Sequence, residues 1–165
     1  MRSIAITAIA VLTVSVLLGG CTKGKSAEVV GPSAVTPKDV VAAAKGTIEK
    51  WRQAYEIRSV DALSELYAKD VDLVVVQEGT AYLGWSSVQA MLKDRLSRAD
   101  TIRVRLKDMQ VLLLAPDVAY AVATMTRELG DNVTTVTETG TLTLVLRKQG
   151  TAWLITSEHY SYKRS

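Results

Sequence analysis

Residues 133–163 read VTTVTETGTLTLVLRKQGTAWLITSEHYSYK, and polar and apolar residues alternate through most of this segment. Alternation with a period of two is typical of β-strands that bury one face. Gln149-Gly150 interrupts the alternation and is a hairpin turn signal. We therefore predict two antiparallel strands, at 133–148 and 152–163.

Two more strands are predicted directly before this hairpin. Residues 101–115 and 117–129 have the same period, and Ala115-Pro116-Asp117 and Gly130-Asp131-Asn132 supply the turns. One face of the resulting antiparallel sheet should be apolar and lie against helices. To this face we assign Val118, Tyr120, Val122, Leu142, Leu144 and Leu146, and to the opposite face Ala119, Ala121, Ala123, Thr139, Thr141 and Thr143.

The first half of the domain is predicted to be mainly helical. Thr36 followed by Pro37 and Asp39 is typical of a helix start, and this helix should run to about Ile57. One of its faces is apolar and consists of Val41, Ala44, Ile48, Trp51 and Tyr55. Ser59 can cap a second, shorter helix. Helices followed by a run of antiparallel strands make an α+β fold.

Two short strands and a third helix lie between these parts. The segment 71–76 is dense in β-branched residues, and Glu78-Gly79 should turn the chain into a return strand at 82–85. Ser86 and Gln89 fit a capping box, which predicts that the third helix begins there.

Four motifs stand in a characteristic order along these elements. They are Trp51–Tyr55, SVDALSELYAKD at 59–70, Gly84-Trp85 with Val88 and Leu92, and WLITSEHYS at 153–161. In this order and spacing the chain, over residues 38–163, resembles the nuclear transport factor 2-like superfamily, which includes SnoaL-like polyketide cyclases and ketosteroid isomerases. The resemblance implies a cone-shaped α+β fold, with three N-terminal helices packed on a curved antiparallel sheet. It also implies a pocket at the open end and frequent dimerisation through the sheet.

The chain departs from the isomerases at two positions. In those enzymes an acidic residue, the general base, follows the segment that resembles residues 67–70. At the corresponding place this chain has Val74 and Val75. The tyrosine that donates to the oxyanion in isomerases falls near Trp51, and an indole cannot reproduce a phenol's proton chemistry. These departures argue against the isomerase reaction and favour binding without catalysis.

Two glutamates and one histidine remain as candidate catalytic groups. Glu138 and Glu158 share the parity of Leu142 and Leu154, so they could line a cavity and either perform acid–base work or orient a polar ligand. Alternatively, Arg127 pairs with one of them or a bulge turns one into solvent. His159, the single histidine, is a candidate base, but its parity favours a structural or interface role on the opposite face.

Aromatic residues are the candidate ligand contacts. An aromatic-lined pocket is suited to a small, partly hydrophobic molecule. Core packing is the alternative role for most of them. The candidates are Trp51, Tyr55, Tyr82, Trp85, Tyr120 and Tyr160.

Composition restricts the other partner classes. Lys and Arg total 20 against 17 Asp and Glu, and no basic stripe with interleaved aromatics is present, so nucleic acid is not a predicted partner. With one histidine and one cysteine, the chain offers only scattered carboxylates to a metal, and we predict neither a metal nor a cofactor.

The amino terminus resembles a bacterial lipoprotein signal. Arg2 precedes an uncharged apolar run, and Leu18-Gly19-Gly20-Cys21 resembles the lipobox, whose cysteine receives lipid. The fifteen residues of the run would span roughly 22 Å as a helix, less than the roughly 30 Å of a membrane's hydrocarbon core. We predict a signal peptide at 1–20, a tether with lipidated Cys21 at 21–35, and one SnoaL-like domain at 36–165. The predicted location is the cell envelope, at the outer membrane or the outer face of the cytoplasmic membrane.

Three functional hypotheses follow, and the interior of the cone should separate them. An apolar cavity without paired titratable groups would favour a small-molecule-binding lipoprotein. A deep cavity with converging acids would favour a SnoaL-like enzyme of cyclase, isomerase or hydrolase type that uses Glu138, Glu158 or His159. A filled cone would favour a dimerising module that assists the assembly of other envelope proteins.

Overall fold

The computed structural model describes residues 36–131 and 133–165. The predictions for the signal peptide, the tether and Cys21 therefore lie outside the described residues. The described helices are α1 (Pro37–Glu56), α2 (Val60–Ser64) and α3 (Gly84–Ser97). The described strands are β1 (Val74–Gln77), β2 (Thr80–Leu83), β3 (Thr101–Ala115), β4 (Val118–Gly130), β5 (Thr135–Gln149) and β6 (Ala152–Arg164).

All six strands form one sheet in the order β2-β1-β6-β5-β4-β3. Neighbouring strands are antiparallel except β1 and β6, which are parallel. The three helices precede the four long strands in the chain, as predicted. The α+β class and the nuclear transport factor 2-like architecture are confirmed. No helix within the described ranges is both long and apolar enough to cross a membrane.

Local capping explains where the first two helices begin. The Thr36 hydroxyl accepts from the Asp39 amide, and the Asp39 carboxylate accepts from the Thr36 amide, which closes a capping box. The Ser59 hydroxyl accepts from the amide of Ala62 at the start of α2. Both predicted starts are confirmed, although Val40, rather than Val41, is buried at the first turn of α1.

The predicted start of α3 is wrong. The helix begins at Gly84, two residues before Ser86, and no side chain caps it. The Gly84 amide instead donates to the carbonyl of Leu73 at 2.8 Å, and Gly84 has a φ of +72°. A hydrogen bond to the residue just before β1 therefore determines where this helix starts. The positive φ at this position suits glycine, which has no β-carbon to clash with the backbone.

The face assignment of β4 is also wrong. Ala121 pairs with Leu144, and residues directly opposite in an antiparallel pair point to the same face of a sheet. The alanines of β4 therefore lie in the core with the leucines of β5, whereas Tyr120 and Val122 lie on the outer face. The register between β4 and β5 decides which residues of β4 share a face with the leucines of β5. Alternation within each strand does not reveal that register.

A bulge in β6 reverses the alternation of that strand. Leu146 pairs with Ile155 and Val145 with Ser157, which leaves Thr156 as the additional residue. Trp153 and Ile155 are buried before the bulge, and Glu158 and Tyr160 are buried after it. The bulge thus brings Glu158 into the interior, although Leu154, with which it shares parity, does not face the core.

Candidate functional site

A pocket of about 380 Å³ opens at one end of the domain, and we call it the mouth pocket. It lies between the second half of α3, the β1–β2 turn, and the ends of β4, β5 and β6 that meet there. Its charged lining consists of Arg95, Arg98, Arg164, Glu78, Asp94 and Glu138. Its other lining residues include Gln77, Thr80, Tyr82, Met91, Ala99 and Leu129. A second hollow of about 230 Å³ shares Arg98, Glu138 and Arg164 with it.

Three arginines and two glutamates form a connected ion network at this pocket, which we call the arginine cluster: Arg95, Arg127, Arg164, Glu78 and Glu138. Arg127 donates through Nε and Nη2 to Glu138 Oε2, at 2.9 and 2.5 Å. Arg164 joins the two glutamates, from Nε to Glu138 at 3.1 Å and from Nη2 to Glu78 at 2.6 Å. Arg95 Nη2 reaches Glu78 at 3.0 Å.

Burial differs sharply across the arginine cluster. Arg127 is 1% exposed and Glu138 0% exposed, so their pair is removed from water. The Arg127 guanidinium also lies 5.0 Å from the ring centroid of Tyr160, a cation–π distance. Glu78 is near the surface, where the Tyr162 hydroxyl and then Arg164 and Arg95 lower the pKa of its carboxyl. The outer part of the cluster is therefore open to a ligand, and the inner part is closed.

A second polar group, the inner cluster, lies deeper and consists of Glu158, Tyr67, Trp51 and Gln77. Glu158 is 1% exposed and accepts from the Tyr67 hydroxyl, from Trp51 Nε1 at 3.2 Å and from Gln77 Nε2 at 2.9 Å. Burial raises the pKa of Glu158, and the Tyr67 hydrogen bond opposes that rise. The carboxyl is held by three donors, and Gln77 stands between it and the mouth pocket.

Some buried polar atoms near the mouth pocket have no hydrogen-bond partner among the described residues. They are Tyr55 Oη, Gln77 Oε1 and Arg95 Nη1. Arg95 Nη1 remains a donor without an acceptor. Such a group is costly to bury, and a bound molecule is one way to satisfy it.

The structure distributes the predicted aromatic contacts among different surroundings. Tyr82 lines the mouth pocket. Trp51, Tyr55 and Tyr160 are buried in the core, and Trp85 packs against Tyr67 with ring centroids 6.2 Å apart. Tyr120 lies on the outer face of the sheet, opposite Leu112 and Val145, which corrects its placement among the pocket residues.

The two candidate acids and the histidine also lie in different surroundings. Glu138 and Glu158 both face the interior, but they belong to different clusters, and the alternative in which Arg127 pairs with Glu138 is the one observed. His159 is exposed on the opposite face of β6 from Glu158. In β1, Val75 is buried and pairs with Glu158. The interior carboxyl at this position is therefore supplied by β6, beside a valine of β1.

Sequence reasoning missed several residues that form the pocket. Arg95 and Arg98 follow the buried Met91 at steps of four and seven, which places all three on one helix face. Arg127 has the parity of Ala121 and Ala123, which the structure buries. Both signals are visible in the sequence once the buried face of each element is known.

The chain belongs to the SnoaL-like domain family. The model of that family matches residues 45–165. No curated protein matches the chain.

Several solved structures share this fold. A candidate dehydratase of the nuclear transport factor 2-like family from Streptomyces avermitilis has 20% identity and a TM-score of 0.72, over 78% of this chain and 99% of that chain. A superfamily protein from Salmonella enterica has 16% identity and a TM-score of 0.71, over 77% and 93%. A candidate ketosteroid isomerase from Shewanella frigidimarina has 16% identity and a TM-score of 0.62, over 72% and 94%. At these identities the likeness shows the fold alone.

The pH dependence of stability should report the buried state of Glu158. Because burial raises the pKa of Glu158, the folded chain keeps this proton at pH values where the unfolded carboxyl, with a pKa near 4.5, has lost it. The contribution of Glu158 to the free energy of unfolding should therefore fall as the pH rises above about 4.5. Glu158→Gln removes this term, so urea unfolding between about pH 4 and 8 should show its stability rising relative to wild type.

Glu65→Gln is the control for this prediction. Glu65 is exposed, and its hydrogen bond from Lys69 lowers the pKa of its carboxyl, which is the opposite direction. Its stability relative to wild type should not rise with pH. Parallel curves for wild type and Glu158→Gln across the whole range would contradict the assignment.

Proposed function

We propose that this SnoaL-like protein is an envelope lipoprotein whose domain binds a small, partly hydrophobic molecule in the mouth pocket without transforming it. The observation that carries the proposal is Arg95 Nη1, a buried donor without a partner among the described residues, in the wall of a pocket of about 380 Å³. Tyr82, Met91 and Leu129 supply apolar surface in the same pocket. Pockets of this size with a few convergent polar groups are typical of small-molecule sites.

The pairing of the pocket's carboxylates supports binding rather than catalysis. Glu138 is held by Arg127 and Arg164, and Glu78 by Tyr162 and two arginines. Asp94 pairs with Arg98. A general base needs to reach the substrate's proton, whereas each of these groups is already engaged by donors of the protein. The polar, paired lining also departs from the apolar cavity expected of a binding domain, which is why the proposed ligand carries polar groups.

Native mass spectrometry of the full-length chain, purified in a non-ionic detergent, tests the binding proposal. We expect a co-purified small molecule that is lost in Thr80→Trp, where an indole would fill the pocket from an exposed position in its wall. Lys93→Trp is the matched control, because Lys93 is exposed on α3 and does not line the pocket. Retention of the molecule in Thr80→Trp would place binding elsewhere.

Anchoring through Cys21 is tested separately. We expect Cys21→Ala to move the protein out of the membrane fraction and to remove the mass of the attached acyl chains from the mature protein. The reason is that two or three acyl chains together hold a protein firmly to a bilayer, at about 0.8 kcal/mol for each buried methylene. An unchanged membrane fraction at the same mature mass would overturn the proposal.

The inner cluster favours an enzyme as the second candidate function. Glu158 is a buried carboxyl with a raised pKa, and perturbed carboxyls of this kind serve as general acids. Gln77 separates it from the mouth pocket, so catalysis requires the ligand to displace that amide. Conversion of the co-purified molecule by the wild type but not by Glu158→Gln would favour this candidate over binding alone.

Self-association through the outer face of the sheet is part of the proposal. Tyr120, Val122 and Val145 lie half-buried on this face, and Leu112 at its edge is 53% exposed. Light scattering at micromolar concentration should give the mass of a dimer. A monomer over the whole concentration range would contradict this part of the proposal and leave the pocket unaffected.

A further inference from the structure

We infer that the mouth pocket recognises an oxyanion, a carboxylate or a phosphate, carried on a compact molecule whose remainder contacts Met91 and Leu129. This inference rests on the proposed binding function and specifies the chemical class of the ligand. It is carried by two independent features of the described residues, the charge balance of the arginine cluster and the unpaired donor on Arg95.

The arginine cluster has one more positive than negative group. Its ion pairs connect three guanidinium groups to the carboxylates of Glu78 and Glu138. Arg98 does not change this balance, because it pairs with Asp94. Arg127 and Glu138 balance each other, so the excess charge lies on Arg95 and Arg164, which share Glu78. Arg164 is solvated, but the Arg95 side chain is only 15% exposed, and an unbalanced charge is costly there. A bound monoanion would neutralise it.

The inner cluster forms no direct ion pair with the arginine cluster among the described residues. Glu158 is the next carboxyl inward, and its oxygens accept from Tyr67, Trp51 and Gln77. None of its hydrogen bonds comes from an arginine of the described chain. The charges of Arg127 and Arg95 act on Glu158 through space, but Gln77 holds its carboxyl and lines the pocket, so a counter-charge that hydrogen-bonds to Arg95 would come from the open side of the pocket.

Arg95 supplies the donor geometry for an anion. Its side chain is 15% exposed, and its Nη2 is held by Glu78 at 3.0 Å. The neighbouring Nη1 has no hydrogen-bond partner among the described residues. The nearby Tyr162 hydroxyl donates to Glu78. A planar guanidinium with one nitrogen fixed on Glu78 and the other unpaired suits a carboxylate or phosphate oxygen, which would reach the buried Nη1 once the Arg95 side chain turns toward the pocket.

Calorimetric titration of the full-length chain in detergent tests the inference with defined probes. Benzoate and benzamide have nearly the same shape and differ in charge, and inorganic phosphate represents the other oxyanion source. We expect benzoate or phosphate to bind saturably, and benzamide to bind at least tenfold more weakly than benzoate. Whichever anion binds more tightly indicates whether the pocket prefers a carboxylate or a phosphate. Added chloride should weaken its binding, because chloride ions screen the arginines and compete for them.

Variants of Arg95 and Lys93 test whether the anion binds at Arg95, and a folding measurement on each variant separates lost binding from lost structure. Arg95→Gln should weaken the binding of the anion at least tenfold. Arg95→Lys keeps the positive charge but loses the planar pair of guanidinium nitrogens, so its affinity should lie between those of Arg95→Gln and wild type. Lys93→Gln removes a positive charge from the exposed side of the same helix and should leave affinity unchanged. Thermal unfolding of each variant establishes that it is folded.

The remaining outcomes distinguish the two levels of the proposal. Equal affinity for benzamide and benzoate, abolished by Thr80→Trp, would overturn the oxyanion inference while the binding function stands. Equal loss of benzoate in Lys93→Gln and Arg95→Gln would also overturn it, because the effect would then be one of general charge. If none of the probes binds and no molecule co-purifies with wild type, both the inference and the proposed function fail.

Discussion

Replacing Glu138 with leucine should lower the free energy of unfolding by about 3–5 kcal/mol, the cost typical of removing one partner from a buried ion pair. The substitution keeps a side chain of similar volume but leaves the Arg127 guanidinium, 1% exposed, without its carboxylate. It also releases Arg164, which is near the surface and can turn into water. Urea unfolding with comparison of midpoints and m-values measures the change.

Two further variants separate lost pairing from lost packing. Combining Glu138→Leu with Arg127→Met removes both charges and should recover most of the lost stability, because replacing a whole buried pair by apolar groups is often nearly neutral. Glu128→Ala removes the partner of Arg105 from an exposed ion pair nearby and should change stability by less than about 1 kcal/mol. A double variant as unstable as Glu138→Leu would show that packing, rather than charge, determines the effect.

Gly140→Ala should be the other strongly destabilising change. Gly140 pairs with Tyr162 where β5 and β6 approach closely, and a β-carbon built at this position would overlap the backbone carbonyl of Ser161. Backbone atoms cannot move aside as a flexible side chain can, so the strands must separate. We expect the free energy of unfolding, measured with urea, to fall by about 1–3 kcal/mol or more, the range typical of overpacked sites.

Gly46→Ala is the matched control for this strand substitution. Gly46 lies in α1, and a β-carbon there would meet no heavy atom within 4 Å. Alanine should therefore stabilise the helix by about 0.5–1 kcal/mol, because glycine loses more backbone freedom on folding. A Gly140→Ala variant as stable as wild type would contradict the close approach of β5 and β6.

The secondary structure was largely predictable because its signals are local. The Thr36 N-cap and the turn after β5 depend on residues within a few positions of one another, and both appear at the predicted places. The start of α3 was not predictable in this way. Its determining hydrogen bond joins Gly84 to Leu73, which is distant in sequence, whereas Ser86 offered a local capping pattern that the fold does not use.

The candidate site was predictable only in part. Parity with Leu142 correctly indicates an interior position for Glu138, whereas Glu158 is inside only because of the bulge at Thr156. The ligand pocket is predicted among aromatic side chains. Trp51 instead fills the interior and donates to Glu158, and the open space lies outside it, among arginines. Arginine on an amphipathic helix normally indicates a solvated face, so the arginines of α3 gave no signal while their neighbours were unknown.

By itself, the sequence determined the α+β class, the order of helices and strands, the first two helix caps and the hairpin connections of the long strands. The tertiary structure decided which face of β4 lies in the core, how the bulge at Thr156 turns Glu158 inward, and which residues meet at the mouth pocket. The physical reason is that alternation and capping are properties of one segment. Strand register, ion pairing and burial depend on contacts between segments that the chain brings together only when it folds.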